Sequence, residues 1–182
     1  MRRHELEHVL RAAKGITNEL EFVVIGSQSI LARISDPPRS LTYSNEADVY
    51  PLHAPEKADL IDGTIGELSR FHETFGYYAH GVAPETATLA INWQERAVTL
   101  ETPSMEGARG HCLHPLDAAY SKLAAGREKD FAFVSELIRC ELIKGGTLEK
   151  LIADETVNPK LKELLFDRLK VCRSRLPLKT DL

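Results

Sequence analysis

The sequence predicts an α/β (α+β) chain whose strands lie in its front half and whose back half is helical. Three observations carry this. Residues 22–25, Phe-Val-Val-Ile, form a continuous apolar, largely β-branched run, as expected of a strand buried on both faces. Residues 47–52 supply a second strand pattern, with Pro51 marking its rim. From Pro115 onward, apolar residues recur at helical spacing. A length of 182 residues suits one ordinary domain with a helical extension, and 43% hydrophobic with 27% charged residues is a globular composition.

The elements follow in order. Leu6, Val9, Leu10 and Ala13 share one stripe of residues 3–18, predicting an amphipathic first helix that Gly15 loosens near its end. The run at 22–25 stops at Gly26-Ser27, and helix formers occupy 28–33. The local unit reads as strand, tight turn and helix, with a serine as cap. Pro37-Pro38 ends that helix by removing donors and restricting the preceding backbone. Residues 56–68 read as a helix, 74–82 and 96–101 as strands, and 103–110, with two glycines, as a loop. Helices follow over 116–125, over a longer stretch bearing Phe131, Val134, Leu137, Ile138 and Leu142 that Gly145-Gly146 ends, and over 147–153 and 160–173. Asn158-Pro159 introduces the last of these.

The charge balance narrows the function classes. A formal net charge of −4 and a pI near 6.0 argue against holding long nucleic acid by neutralising phosphates, which needs a strong positive field. Cys112, Cys140 and Cys172 are scattered and odd in number, so they suggest neither a disulfide framework nor a metal knuckle and fit a reducing cytoplasm. The first residues mix charge with histidine instead of building a signal peptide, and no apolar run approaches spanning length, so no membrane association is expected.

Two short motifs carry chemistry. A buried strand ending in Gly26-Ser27 before a helix exposes backbone N–H groups where a phosphate can sit; the glycine permits close approach and the serine hydroxyl can donate. The bland alternative is a turn glycine chosen for conformation alone. In Glu46-Ala47-Asp48 the carboxylates stand two residues apart and project to one face of a strand. Acidic groups held that close repel each other unless a cation shares them, and an oxygen-seeking ion such as Mg2+ suits the pair. A solvated edge pair is the alternative.

Together these motifs resemble the nucleotidyltransferase signature of the DNA polymerase beta superfamily. Downstream, His114-Pro115-Leu116-Asp117, Ser121-Lys122-Leu123-Ala124 and Arg127-Glu128-Lys129-Asp130 resemble the later Lys and Asp motifs of the AbiEii-like abortive-infection branch. The segments at 46–51 and 71–78 are similar to those of a related group of uncharacterised bacterial nucleotidyltransferase-like proteins. The resemblance implies a mixed-sheet nucleotidyltransferase core over residues 1–113 and a helical C-terminal subdomain over 114–182. It implies that Gly26 and Ser27 hold the triphosphate of an NTP, that Glu46 and Asp48 hold Mg2+ or Mn2+, that Lys122 and Arg127 approach the phosphates, and that Asp130 assists the acceptor or organises the site. It further implies an RNA (including tRNA) or protein acceptor, and a toxin-antitoxin or phage-defence setting with a cognate toxin or antitoxin as partner.

The sequence also departs from the family pattern. Asp is usual where Glu46 stands, and a third acidic ligand is not assignable, with Glu101 and His80 as the candidates. These departures keep open a rival, a catalytically silent binding module on the same fold. For Arg127 and Asp130 a local ion pair is the alternative, given their spacing.

Other residues read more plainly. His111, Cys112 and His114 match no common zinc spacing. His4 and His8, one helical turn apart, read as solvated. Tyr77, Tyr78 and Trp93 read as core packing ahead of a base-stacking platform. Lys160, Lys162, Arg168, Lys170, Arg173 and Arg175 alternate with acids and read as a solvated face ahead of an RNA patch.

Overall fold

A computed structural model describes residues 1–156 and 158–176. The chain divides into two compact units: Met1–Ala87 with Asn92–His114, and Thr88–Ile91 with the chain from Pro115 onward.

The first unit is built on a mixed sheet. Helix α1 (Arg3–Thr17) presents the expected stripe, with Leu6, Val9, Leu10 and Ala13 buried, and it ends at Asn18 in the left-handed region. Strand β1 (Glu21–Ile25) follows, and its apolar run is fully inside. Residues Ser27–Ala32 then form a 3-10 turn, not the expected α-helix, and the Ser27 side chain does not cap it. Ser29 Oγ instead donates to the Gly26 carbonyl at 2.8 Å, tightening the turn from within. After β2 (Glu46–Pro51) come α2 (Ala58–Ile65), α3 (Arg70–Phe75) and β3 (Tyr78–Gly81). A short α4 (Trp93–Arg96) leads to β4 (Val98–Leu100) and β5 (Arg109–Cys112).

Among the described residues, five strands pair in the order β3-β2-β1-β5-β4. β1 runs antiparallel to β2 and parallel to β5, β2 runs parallel to β3, and β4 runs antiparallel to β5. One sheet face, carrying Phe22, Val24, Ala47, Val49, Ala79 and Cys112, packs into a core with α1 and with Ile61 and Ile65 of α2. Apolar burial on this face, with Val23, Ile25 and Tyr50 buried on the other, holds this unit together.

Two strand expectations are corrected here. Residues 74–75 belong to α3, because Ser69 accepts a hydrogen bond from the His72 N–H at the start and Gly76 turns left-handed at the end. The strand begins only at Tyr78. The expected loop at 103–110 contains the start of β5, a strand that exists because β1 supplies a parallel ladder for it.

The second unit is helical, with α5 (Pro115–Ala125), α6 (Glu128–Arg139), α7 (Gly145–Asp154) and α8 (Pro159–Ser174). Tyr120 and Leu123, Val134 and Leu137, Leu148 and Ile152, and Leu165 and Leu169 form its buried faces. Gly145-Gly146 opens α7 instead of closing α6, which stops at Arg139 and turns through left-handed Glu141. The cations of α8 take two roles. Arg168 donates to the Leu123 and Ala124 carbonyls at 2.6 and 2.7 Å, satisfying the end of α5. Arg173 and Arg175 pair with Glu149 and Glu128, and Lys170 with Asp167. Lys160, Lys170 and Arg175 are exposed, as expected of a solvated face, while Arg168 is drawn in to the carbonyls that end α5.

Among the described residues no helix is long and apolar enough to cross a membrane.

Candidate functional site

Strand alternation builds the site. Ile25 stands opposite Asp48, Asp48 opposite His80, and Glu46 opposite Tyr78, so the side chains of Glu46, Asp48, Tyr78 and His80 share the sheet face turned away from the α1 core. His80 Nδ1 lies 3.0 Å from Glu46 Oε1 and 3.2 Å from Asp48 Oδ1. The Tyr78 hydroxyl donates to Glu46 Oε2 at 3.3 Å. Glu46, Tyr78 and His80, with Asp62 and Glu67, line a hollow of about 220 Å³.

The electrostatics of this face are those of a site short of positive charge. Burial, and then the neighbouring Glu46 charge, pushes the Asp48 carboxyl up to about 6. For His80, burial is the largest single influence and pulls its pKa down. The Asp48 hydrogen bond and the charges of Glu46, Asp48 and Asp62 together outweigh it, leaving the imidazole raised. Tyr78 is pushed up to about 12 by burial and by the Glu46 and Glu67 charges.

Gly26 joins this group at the end of β1. Its φ of 71° and ψ of −161° suit only glycine, and a Cβ there would overlap the Asp48 carboxylate. Backbone turn and acidic pair therefore meet. Gln28 Nε2, donating to the Ser44 carbonyl at 3.1 Å, ties the turn to the segment that enters β2. Gly26→Ala is expected to lower stability by about 2 to 4 kcal/mol, combining left-handed strain with displacement of Asp48. Urea unfolding checks this, and a loss below about 0.5 kcal/mol would show that the turn relaxes freely.

Two carboxylate oxygens and one imidazole nitrogen, all within 4.8 Å of one another, can hold a metal ion. Neighbouring ligands of an octahedral ion with bonds of about 2.1 Å stand roughly 3 Å apart, which is the spacing from His80 to both carboxylates. The donor set fits a divalent cation.

Lys122, Arg127 and Asp130 form a separate group in the second unit. Asp130 is 1% exposed and pairs with Lys122 at 3.2 Å and with Arg127 at 2.7 Å. It also accepts the Arg127 backbone N–H at 3.1 Å, at the start of α6. Gly126 adopts φ 69° and breaks the helix before Arg127, so the pair sits at a helix N-terminus instead of along one continuous helix. Burial is the largest influence on Asp130 and pushes it up, but the Arg127 and Lys122 contacts outweigh it and hold the carboxyl below its usual range.

Of the two candidates for a third ligand, His80 is the one that lies beside Glu46 and Asp48. Glu101 instead receives Arg109 Nε at 2.8 Å, and Arg109 also bonds Glu21 at the far end of β1 from Asp48. Alternation along residues 78–80, which places Tyr78 and His80 on one face, was the available signal. Asp62, on α2, and Glu67, just beyond its end, carried no signal, since they come near only in three dimensions. His111 faces Glu21 while Cys112 is buried in the core, so these two neighbours point to opposite faces of β5. His8 is not solvated as expected. Its Nδ1 lies 2.8 Å from the Tyr77 hydroxyl, within an aromatic group with Phe71 and Phe75.

A mixed sheet with a Gly-Ser turn after one strand and an acidic pair on its antiparallel neighbour is the arrangement of a nucleotidyltransferase-type domain. The family model for nucleotidyltransferases of unknown function (DUF6036) matches residues 4–176, and the chain belongs to that family. No curated protein and no solved structure gave a match.

Proposed function

We propose that the chain is a metal-dependent nucleotidyltransferase that moves an NMP group from an NTP to an RNA or protein acceptor. The observation that carries this is the closeness of the Asp48 carboxylate to Gly26, where a Cβ would overlap it, which puts the acidic pair and the Gly-Ser turn in one place. Glu46, Asp48 and His80 would hold Mg2+ or Mn2+. When bound, such an ion supplies charge neutralisation to the phosphates and acidifies the attacking hydroxyl. Gly26 allows the triphosphate to approach the backbone, and Ser27 donates its hydroxyl to a phosphate oxygen. Lys122 and Arg127 keep the role of phosphate contacts that the resemblance gives them, with Asp130 positioning both through its ion pairs. The same resemblance supports tRNA among the acceptors, and a toxin-antitoxin or phage-defence setting with a cognate partner.

A second reading is favoured by one observation. His80 stands between the two carboxylates as a ready counter-charge, as expected of a silent nucleotide- or partner-binding module that needs no ion. One experiment separates the two. The protein is incubated with NTPs labelled at the α-phosphate, total cellular RNA and protein, and Mg2+ or Mn2+. Transferase activity predicts label on a macromolecule only when metal is present. Absence of label, together with thermal melts that show no metal-dependent shift in the presence of nucleotide, would establish the silent module.

A further inference from the structure

We infer that His80 makes this site select a divalent first-row transition ion over Mg2+. The inference rests on the metal-binding reading above and deepens it by naming the class of ion.

The argument begins with the donor atoms. Glu46 and Asp48 each turn one oxygen toward the same ring nitrogen, His80 Nδ1, at 3.0 and 3.2 Å. That nitrogen is thus held at the third corner of a ligand triangle by the β2–β3 register, Asp48 opposite His80, and not by chance contact of long side chains. Mg2+ takes oxygen ligands almost exclusively and gives up its water reluctantly, so an imidazole contributes little to holding it. Imidazole is a good ligand for Zn2+, Fe2+ and Co2+ and an acceptable one for Mn2+, while carboxylates serve all of them. A third carboxylate at this corner would raise the negative charge and favour a hard ion. A neutral imidazole lowers the charge and supplies nitrogen. Discrimination therefore lies in one side chain, with Glu46 and Asp48 supplying affinity common to both kinds of ion.

The surroundings agree with a site built to admit a cation. Asp62 and Glu67 line the same hollow, adding negative potential without reaching the ligand triangle itself. The Tyr78 hydroxyl holds the second oxygen of Glu46, leaving Oε1 directed at His80. Such a partner fixes the orientation of a ligating carboxylate.

The test uses the full chain and metal alone, without nucleotide. Mn2+ binding is followed by electron paramagnetic resonance, with Mg2+ as competitor, in wild type, His80→Asp and His80→Ala. In wild type, Mn2+ is expected to bind at least about tenfold more tightly than Mg2+, and the bound Mn2+ should show nitrogen-14 modulation of its spin echo from a directly coordinated imidazole. His80→Asp should lose the nitrogen signature and narrow the preference about tenfold while still binding both ions. His80→Ala should lose the signature and weaken Mn2+ more than Mg2+, which guards against a fold-specific artefact of the aspartate variant. Equal affinity for the two ions in wild type, or tight Mn2+ binding without nitrogen modulation, would overturn the role of His80 and leave the carboxylate site standing. Binding of neither ion would overturn both this inference and the metal-dependent reading beneath it.

Discussion

Asp48→Ala is expected to abolish metal-dependent nucleotide binding and to reduce NMP transfer by more than about 100-fold, since even outer-shell partners of metal ligands contribute 10 to 100-fold. In wild type, nucleotide and metal at about 100 times their dissociation constant should stabilise the native state by about 2.7 kcal/mol. For a chain of this size that is a rise of roughly 5 to 10 °C in the melting midpoint. In Asp48→Ala the rise should vanish. The metal-free variant should melt no lower than wild type, because Asp48 is held in a desolvated place beside a like charge and gains little from being there. A variant that kept the full metal-dependent rise would end the assignment of Asp48 as a ligand.

The same residue sets a pH dependence with a definite sign. Its folded value of about 6 lies above the ordinary carboxylate value, so the native chain holds a proton that the unfolded chain has released. Between about pH 4 and about pH 6 the metal-free protein should therefore lose stability as pH rises. That proton must leave before a cation binds, so the metal-dependent rise in melting midpoint should grow from about pH 5 to about pH 7.

Asp130→Ala is expected to lower stability by about 3 kcal/mol. Removing one partner of a buried pair costs about 3 to 5 kcal/mol, and the lower figure applies because Arg127 is half exposed and screened by water. Asp130 also satisfies the Arg127 backbone N–H at the start of α6, so the loss includes a helix-terminal hydrogen bond. Asp130→Asn, which keeps an acceptor but removes the charge, should fall between wild type and the alanine variant in urea unfolding. Stability within about 0.5 kcal/mol of wild type, combined with lost NMP transfer, would instead assign Asp130 to the reaction.

Much of the front half was legible because its signals are local. The apolar run of β1 is buried on every residue from Phe22 to Ile25, and the two-residue period of β2 alone puts Glu46 and Asp48 on one side. What the sequence could not show was pairing at a distance. β5 reads Arg-Gly-His-Cys, with no strand signature, and becomes one only through the ladder that joins Glu21 to Arg109 and Val24 to Cys112. His80 could be suspected as a ligand but not placed, since its proximity to Asp48 depends on the parallel register of β2 and β3. The glycine pair at 145–146 misled for a different reason. Gly is a common helix terminator, but here the break had already occurred at Glu141, and the glycines are the first residues of the next helix.

The parallel pairing of β1 with β5 also governs how the chain reaches its native state. Arg109 and Glu21 bond across 88 positions, whereas the Arg168 contact that closes the helical unit spans 45. Closing the longer span costs more chain entropy, by about 0.6 kcal/mol for a doubling of length. During synthesis the central strand must wait with one flank open until β5 leaves the ribosome, and an unpaired apolar edge invites association with other nascent chains. The yield of folded protein is therefore expected to respond to translation speed between codons 26 and 108 and to the supply of chaperones.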